Sequence, residues 1–414
     1  MSKLAVEEAR GSAAIEELRV EWQALFACAS RPSPYVSWEW IAAWHRWLGQ
    51  GLTPRLFCAR AGSRLVGLLP LAEEACWGVR PGQIRRLSFM GERWVAGDYL
   101  DVLAATGWEQ AAAGAIFEHL AGDGTFDVLE LDGLAGDSRS LPQLAWRFGV
   151  DPRFKFHVVP AQICPIMTLD GSWDDVVART RRPNQFKRLC RGLHSLPGFQ
   201  TRSAVAPDDV GPALERLLAL HDKRWAAQGG SDAMTRPAVK DFHRDVVVRL
   251  ASAGLVRFEE LWIDGNCRAS YYGMQSGDHY YLYQCGYDPA WAKHSVAFTR
   301  LGLSIQDAAA RGLAVYDFLR GNETYKFDWA NATRVTLTVQ VAQHSQAATL
   351  FLARRQLRAA AKTALKAGLP SSGLDWLRRR RRSWEERQDL STPRTGRASE
   401  TLPQPLSNAT RANL

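Results

Sequence analysis

An internal recurrence constrains this chain more than any other feature. A strand pair joined by a glycine turn, then a helix, a second glycine turn and a further strand occur in the first half and return in the same order roughly 190–200 residues later. In the first half, strand-like runs at 55–60 and 65–71 flank Ala61-Gly62-Ser63-Arg64; an alanine-rich helix is expected at 109–121, and Gly122-Asp123-Gly124 leads into a strand at 126–131. In the second half, runs at 255–261 and 267–275 flank Ile263-Asp264-Gly265-Asn266. A third strand at 279–285 follows Ser276-Gly277-Asp278, and a helix at 297–311 precedes a strand at 313–319. This period is too long for a solenoid and suits a duplicated α/β domain. The length of 414 residues and a hydrophobic content of 46% support two such lobes. The expected division is 1–165, 166–350 and a tail, 351–414.

Flanking helices complete each lobe. The stretch 38–47 places Trp40, Trp44 and Trp47 on one helical face, a pattern that predicts core rather than a ligand platform. Helices at 213–227, carrying Leu220-His221-Asp222-Lys223-Arg224-Trp225, and at 237–251, closed by Gly254, open the second lobe. His221 reads as a surface or packing residue, with a role as base the rival reading. Between the lobes, 174–191 gathers Arg179, Arg181, Arg182, Lys187, Arg188 and Arg191 around Pro183. That run is either a solvated helix face or a phosphate-contacting edge.

The net charge of +9 is confined to the tail: from Phe351 onward there are 14 Lys and Arg against 5 Asp and Glu, and 38 of each remain before it. A neutral body argues against a DNA-binding core, and no DNA partner is expected. The tail reads as a basic amphipathic helix to Gly368, an arginine run from Arg378 to Arg382, and a polar segment expected to be disordered. Such a tail is either solvated or in peripheral contact with an anionic membrane. No apolar run of about 18 residues is present, and the N-terminus lacks a secretory apolar core, so a cytoplasmic location is expected, with the inner membrane as the possible peripheral contact. The seven cysteines form no CxxC pair or metal-ligand spacing and predict buried thiols, with no metal site.

Chemistry concentrates between Leu255 and Trp329. A meander, a loop opening a helix and a further strand can hold a thioester donor, because the helix N-terminus offers unpaired backbone N–H groups and a positive dipole end to a pyrophosphate. Here the loop is Trp291-Ala292-Lys293-His294-Ser295-Val296-Ala297; its small side chains admit a phosphate, and Ser295 is expected to cap the helix. The aromatic strands carrying Tyr271, Tyr272, Tyr280, Tyr281 and Tyr283 build core on one face, and alternation aims some rings into a cleft.

The run Gly286-Tyr287-Asp288-Pro289-Ala290, the Lys293-His294-Ser295 loop and above all Asp317-Phe318-Leu319-Arg320-Gly321-Asn322-Glu323-Thr324-Tyr325-Lys326-Phe327-Asp328-Trp329 resemble the CelD/BcsL group of GNAT-superfamily acyltransferases. That group is associated with cellulose and exopolysaccharide formation and has a FemAB-like double-GNAT architecture. The likeness extends to 37–47, Gly67-Leu68-Leu69-Pro70-Leu71, Asp98-Tyr99-Leu100-Asp101 and 220–225, covering about residues 20–335. It departs from the group at Ala297, where glycine is usual.

The resemblance implies a fold of two tandem GNAT-like lobes, each a mixed, mostly antiparallel sheet flanked by helices, with the donor in the second lobe and the acceptor in the cleft between them. It implies acyl transfer from acetyl-CoA or another acyl-CoA to a small-molecule, saccharide or amine acceptor. That reaction needs a donor cradle, an oxyanion stabiliser and a base. Lys293, Ser295, Val296 and Ala297 are the expected cradle, Asp317 and Glu323 the candidate bases, Tyr325 the acid toward the leaving thiolate, and Arg320 and Lys326 the cations for phosphate or an acidic acceptor. A structural reading competes, in which Asp317 pairs with Lys326 and Tyr325 simply packs. Two other functions stand beside acyl-CoA transfer: an aminoacyl-tRNA-dependent transferase using the 179–191 edge, and a non-catalytic accessory protein of polysaccharide synthesis.

Overall fold

A computed structural model describes residues 4–77, 83–226, 234 and 236–368. Residues 1–358 form one compact unit and 359–414 a second, of which 359–368 are described. The arginine run and the polar end of the tail lie outside the described residues.

The first half runs β1 (Ala5–Arg10), α1 (Ser12–Glu17), α2 (Arg19–Cys28), α3 (Trp38–Leu48), β2 (Thr53–Ala61), β3 (Arg64–Trp77), β4 (Gln83–Phe89), β5 (Leu103–Ala104), α4 (Glu109–Asp123), β6 (Val128–Ala135), α5 (Leu141–Gly149) and β7 (Phe154–Thr168). The second runs α6 (Trp173–Ala178), α7 (Pro183–His194), β8 (Gln200–Ala204), α8 (Pro207–Ala226), α9 (Pro237–Ser252), β9 (Val256–Ile263), β10 (Asn266–Ser276), β11 (His279–Tyr287), α10 (Val296–Ala310), β12 (Val315–Asp317), α11 (Thr324–Phe327), β13 (Ala332–Gln343) and α12 (Gln346–Gly368).

Local chemistry sets these boundaries. The Ser37 hydroxyl accepts from the Trp40 N–H and starts α3, and a capping box of Ser172 and Asp175 starts α6. Pro183 in the first turn divides the basic run into α6 and α7. Asp264 and Gly265, both left-handed at φ 50° and 70°, make the tight β9–β10 turn.

Among the described residues thirteen strands form one mixed, mostly antiparallel sheet, ordered β1-β2-β3-β4-β6-β13-β7-β12-β11-β10-β9-β8, with β5 on β3. In each half an antiparallel meander is followed by a parallel pair bridged by a helix: β4 with β6 around α4, and β11 with β12 around α10. The halves are joined by exchange. The last strand of the second half, β13, lies between β6 and β7, and β7 of the first half reaches β12 over Ile166–Thr168. The expected boundary at 165 therefore falls inside β7.

The tryptophans of α3 bear out the core reading. Trp40 and Trp44 are buried, Trp40 meets Phe242 of α9 edge-on at 5.0 Å, and the Trp47 indole N–H donates to Asp245 at 3.0 Å. Helix α3 thus packs one half on the other through large aromatic area. The tail helix begins at Gln346, earlier than expected, because the Ser345 hydroxyl accepts from the Ala348 N–H and Ala348 and Leu352 pack on Ile84, Val128 and Ala342. Cys58, Cys164 and Cys285 are buried, whereas Cys28 is exposed. No helix of the described residues is long and apolar enough to cross a membrane.

Candidate active site

The site opens where two parallel strands part. β11 and β12 pair only over His279–Tyr281 and Val315–Asp317. Above that, the register of β10 and β11 slips, with Tyr272 opposite Gln284 and Gly273 opposite Leu282, so Tyr283 is an additional residue in β11. Such a bulge bends its strand and breaks the ladder. Just beyond it the Cys285 N–H donates to the side-chain oxygen of Gln284 at 2.9 Å.

A cavity of ≈ 260 Å³ lies beside the bulged end of β11, walled by Arg224, Tyr271, Cys285, Tyr287, Ser295, Val296, Ala297 and Tyr325. The first i→i−4 bond of α10 runs from the Thr299 N–H to the Ser295 carbonyl, which leaves the N–H groups of Val296, Ala297 and Phe298 at the cavity as helix-start donors. A second cavity, ≈ 250 Å³, lies between the halves, lined by Val95, Asp98, Tyr283, Gln284, Arg320, Glu323 and Lys326. Cys285 and Tyr325 line both. Burial, the larger cause, and the neighbouring Cys285 thiol hold the Tyr325 phenol protonated well above its ordinary range.

Tyr325 is thus brought to the junction, and Glu323 to the second cavity alone, as a half-exposed carboxylate 3.0 Å from the Lys326 ammonium. Ser295, Val296 and Ala297 line the first cavity, and Lys293 is exposed on the short 3-10 turn before it, outside the lining. Ser295 makes no side-chain cap: its left-handed backbone (φ 53°, ψ 38°) replaces the extended geometry from which a capping hydroxyl reaches into the first turn. The demand for positive φ falls on Ser295; Ala297 is inside the helix, so the missing glycine there imposes no backbone strain.

Asp317 lines neither cavity. Fully buried, it accepts from the Tyr99 hydroxyl at 2.8 Å and the Leu319 N–H at 2.7 Å, with Arg334 at 3.7 Å. Burial is the largest influence and lifts its carboxyl to about 7, against these hydrogen bonds. The expected pairing with Lys326 does not form. Lys326 is buried and donates to the carbonyls of Arg320 (2.7 Å) and Leu319 (3.4 Å), tying off the turn in which Leu319 is left-handed at φ 54°. Arg320 is held by Asp98, with Nε at 2.7 Å, and by the Gly97 carbonyl. Neither cation lines the first cavity. His221 is buried in packing, and of the five tyrosines Tyr271 and Tyr283 reach the two cavities while Tyr280 is buried on Glu259.

Sequence reading passed over Asp98 and Tyr99 as site residues; they cross-link the first half to the second-half turn from a loop in which Trp94, Ala96 and Tyr99 all have positive φ. Strained non-glycine residues of this kind persist where surrounding contacts hold them. It also missed Arg224 and Cys285. A helix stripe placing Arg224 toward the sheet was the available signal; Cys285 had none beyond alternation.

Residues 179–327 match the family described as acetyltransferase (GNAT) domain. No curated protein matches the chain. Among solved structures, FemX shares 11% identity at a TM-score of 0.54, with 78% of this chain and 95% of that chain covered. A tandem GNAT protein from the clavulanic acid biosynthesis pathway shares 14% identity at a TM-score of 0.43, covering 83% and 100%. The FemX likeness supports the fold alone. Residues 179–327 form a GNAT-fold acetyltransferase domain, and the chain is an acyltransferase.

Proposed function

We propose that this chain transfers an acyl group from an acyl-CoA thioester in the donor cavity to an amine or hydroxyl in the cleft between the halves. The carrying observation is that Tyr325 and Cys285 line both cavities, so a protonated phenol stands where donor and acceptor meet. The donor pyrophosphate lies against the N–H groups that open α10. The Cys285 N–H, released by Gln284, donates to the thioester oxygen as it gains charge. The acceptor attacks the thioester carbon, forming the C–N or C–O bond as C–S breaks; Glu323 takes the acceptor proton and Tyr325 donates one to the departing sulfur. Asp317 is a positioning residue that fixes Leu319 and, through it, the turn carrying Glu323 and Tyr325.

The CelD/BcsL resemblance supports a saccharide or amine of envelope polysaccharide as the acceptor. The excess charge after Phe351 suits peripheral contact with an anionic membrane. Incubating the protein with a panel of acyl-CoAs and cell extract, with mass spectrometry of the products, tests the reading: a new acylated product dependent on both protein and CoA donor is expected. No product and no CoA binding, with tRNA bound in a strongly salt-dependent manner, would replace it with aminoacyl-tRNA transfer.

A further inference from the structure

Arg224 differs from the other arginines around the second-half site. Arg216 forks onto Glu260 at 2.7 Å, Arg268 meets Asp288 at 3.0 Å and Arg320 meets Asp98 at 2.7 Å. Arg224, on the last turn of α8, has no carboxylate partner among the described residues. The acid nearest it in sequence, Asp222, faces Lys240 at 3.3 Å. What surrounds Arg224 is a wall of weak acceptors: its Nη1 lies 3.6 Å from the Cys285 sulfur, and its guanidinium sits 5.1 Å from the Tyr287 ring and 5.2 Å from the Trp225 ring. Its Nε is buried without a partner.

The residue is partly buried, and the thiol and aromatic faces around its guanidinium replace only part of the hydration it gives up. The same side chain lines the donor cavity and is absent from the lining of the cleft between the halves. Its five donors form a planar fork matched to carboxylate or phosphate oxygens. We propose that Arg224 holds an oxyanion group, carboxylate or phosphate, carried by the molecule that occupies the donor cavity. Contact with Cys285, which lines both cavities, sets the guanidinium beside the shared wall, on the side of α8 rather than of α10. A carboxylate at the far end of a short acyl chain meets it there; a donor phosphate is the other source of the same chemistry.

This inference rests on the acyl-CoA reading, and the test separates the two. Calorimetric titration of CoA, acetyl-CoA and succinyl-CoA into the wild-type protein, Arg224→Gln and Arg224→Lys is accompanied by thermal melting of each. Both variants are expected to melt as the wild type does. Arg224→Gln should lose about tenfold or more in affinity, the size of a charge-assisted hydrogen bond, with Arg224→Lys between the two. A loss confined to succinyl-CoA identifies an acyl carboxylate, and an equal loss for all three ligands identifies a donor phosphate. Affinities within about twofold of wild type for all three ligands overturn the proposal, as does loss of cooperative melting in both variants, which would make Arg224 structural. A wild-type protein that binds none of the three overturns the acyl-CoA reading itself, and this proposal with it.

Discussion

A single phenol bears most of the chemistry assigned here. In Tyr325→Phe the ring still fills its place between the two cavities, so folding and donor binding should persist. Single-turnover transfer should fall by about 10²–10⁴-fold, the range of a positioned proton donor; a fall that instead tracks a lower melting temperature would make Tyr325 a packing residue. Asp317 calls for a different observable. Its carboxyl titrates at about 7 in the folded chain against an ordinary value of 3.8, so the folded state holds a proton that the unfolded chain releases. Stability from this group is fully present below pH 4 and is lost as pH rises toward 7. Asp317→Asn removes that loss, so its melting temperature relative to wild type should climb between about pH 4 and 7 and level off above it; a difference independent of pH would show an ordinary carboxylate. The sequence brought Glu323 and Tyr325 forward as candidates because both belong to one compact motif, and both line the cavity between the halves. The partner of Asp317 was not legible, since Tyr99 is 218 residues away and reaches it only through the join between the halves.

Elements with a buried face were readable, and those without one were not. The meander β9–β11 and helix α10 follow alternating or helical apolar patterns, and the structure places them within a few residues of expectation. Strands β1 and β8 sit at the two ends of the sheet; β1 has no fully buried residue and β8 only Ala204, and their short, largely polar sequences give little to read. The exchange of β7 and β13 is a matter of partner choice over long sequence separation, which local pattern does not encode. The short turn into α11 depends on Gly321, at φ 129°, where an added Cβ would collide with the Glu323 carboxylate and crowd the Lys326 ammonium. Gly321→Ala should therefore displace both and cost about 1–3 kcal/mol of stability, with transfer reduced more than donor affinity. Wild-type melting and transfer in this variant would show that the turn tolerates another path.

Across the whole molecule, division of labour follows charge and burial. The folded body is neutral, and the basic excess begins only at Phe351. The helix α12 anchors by Ala348, Leu352 and an Arg355–Glu130 pair at 2.9 Å, all before Arg358. A chain ending at Gly368 should keep its melting transition and its affinity for acyl-CoA, and lose only membrane or polyanion binding; loss of the melting transition would make the remainder part of the fold. The join between halves is equally concrete: Asp98 and Tyr99 of the first half grip Arg320 and Asp317 of the second, so the cleft between them exists only while both halves are packed. Everything proposed for the reaction depends on the cavity at the start of α10 holding the donor. Calorimetric titration of acetyl-CoA into wild-type protein and Ala297→Phe tests it most directly. Saturable binding of about one donor per chain is expected in the wild type, weakened about tenfold or more by Ala297→Phe at unchanged melting temperature. Equal affinity in the two proteins, or no binding to the wild type, would contradict it.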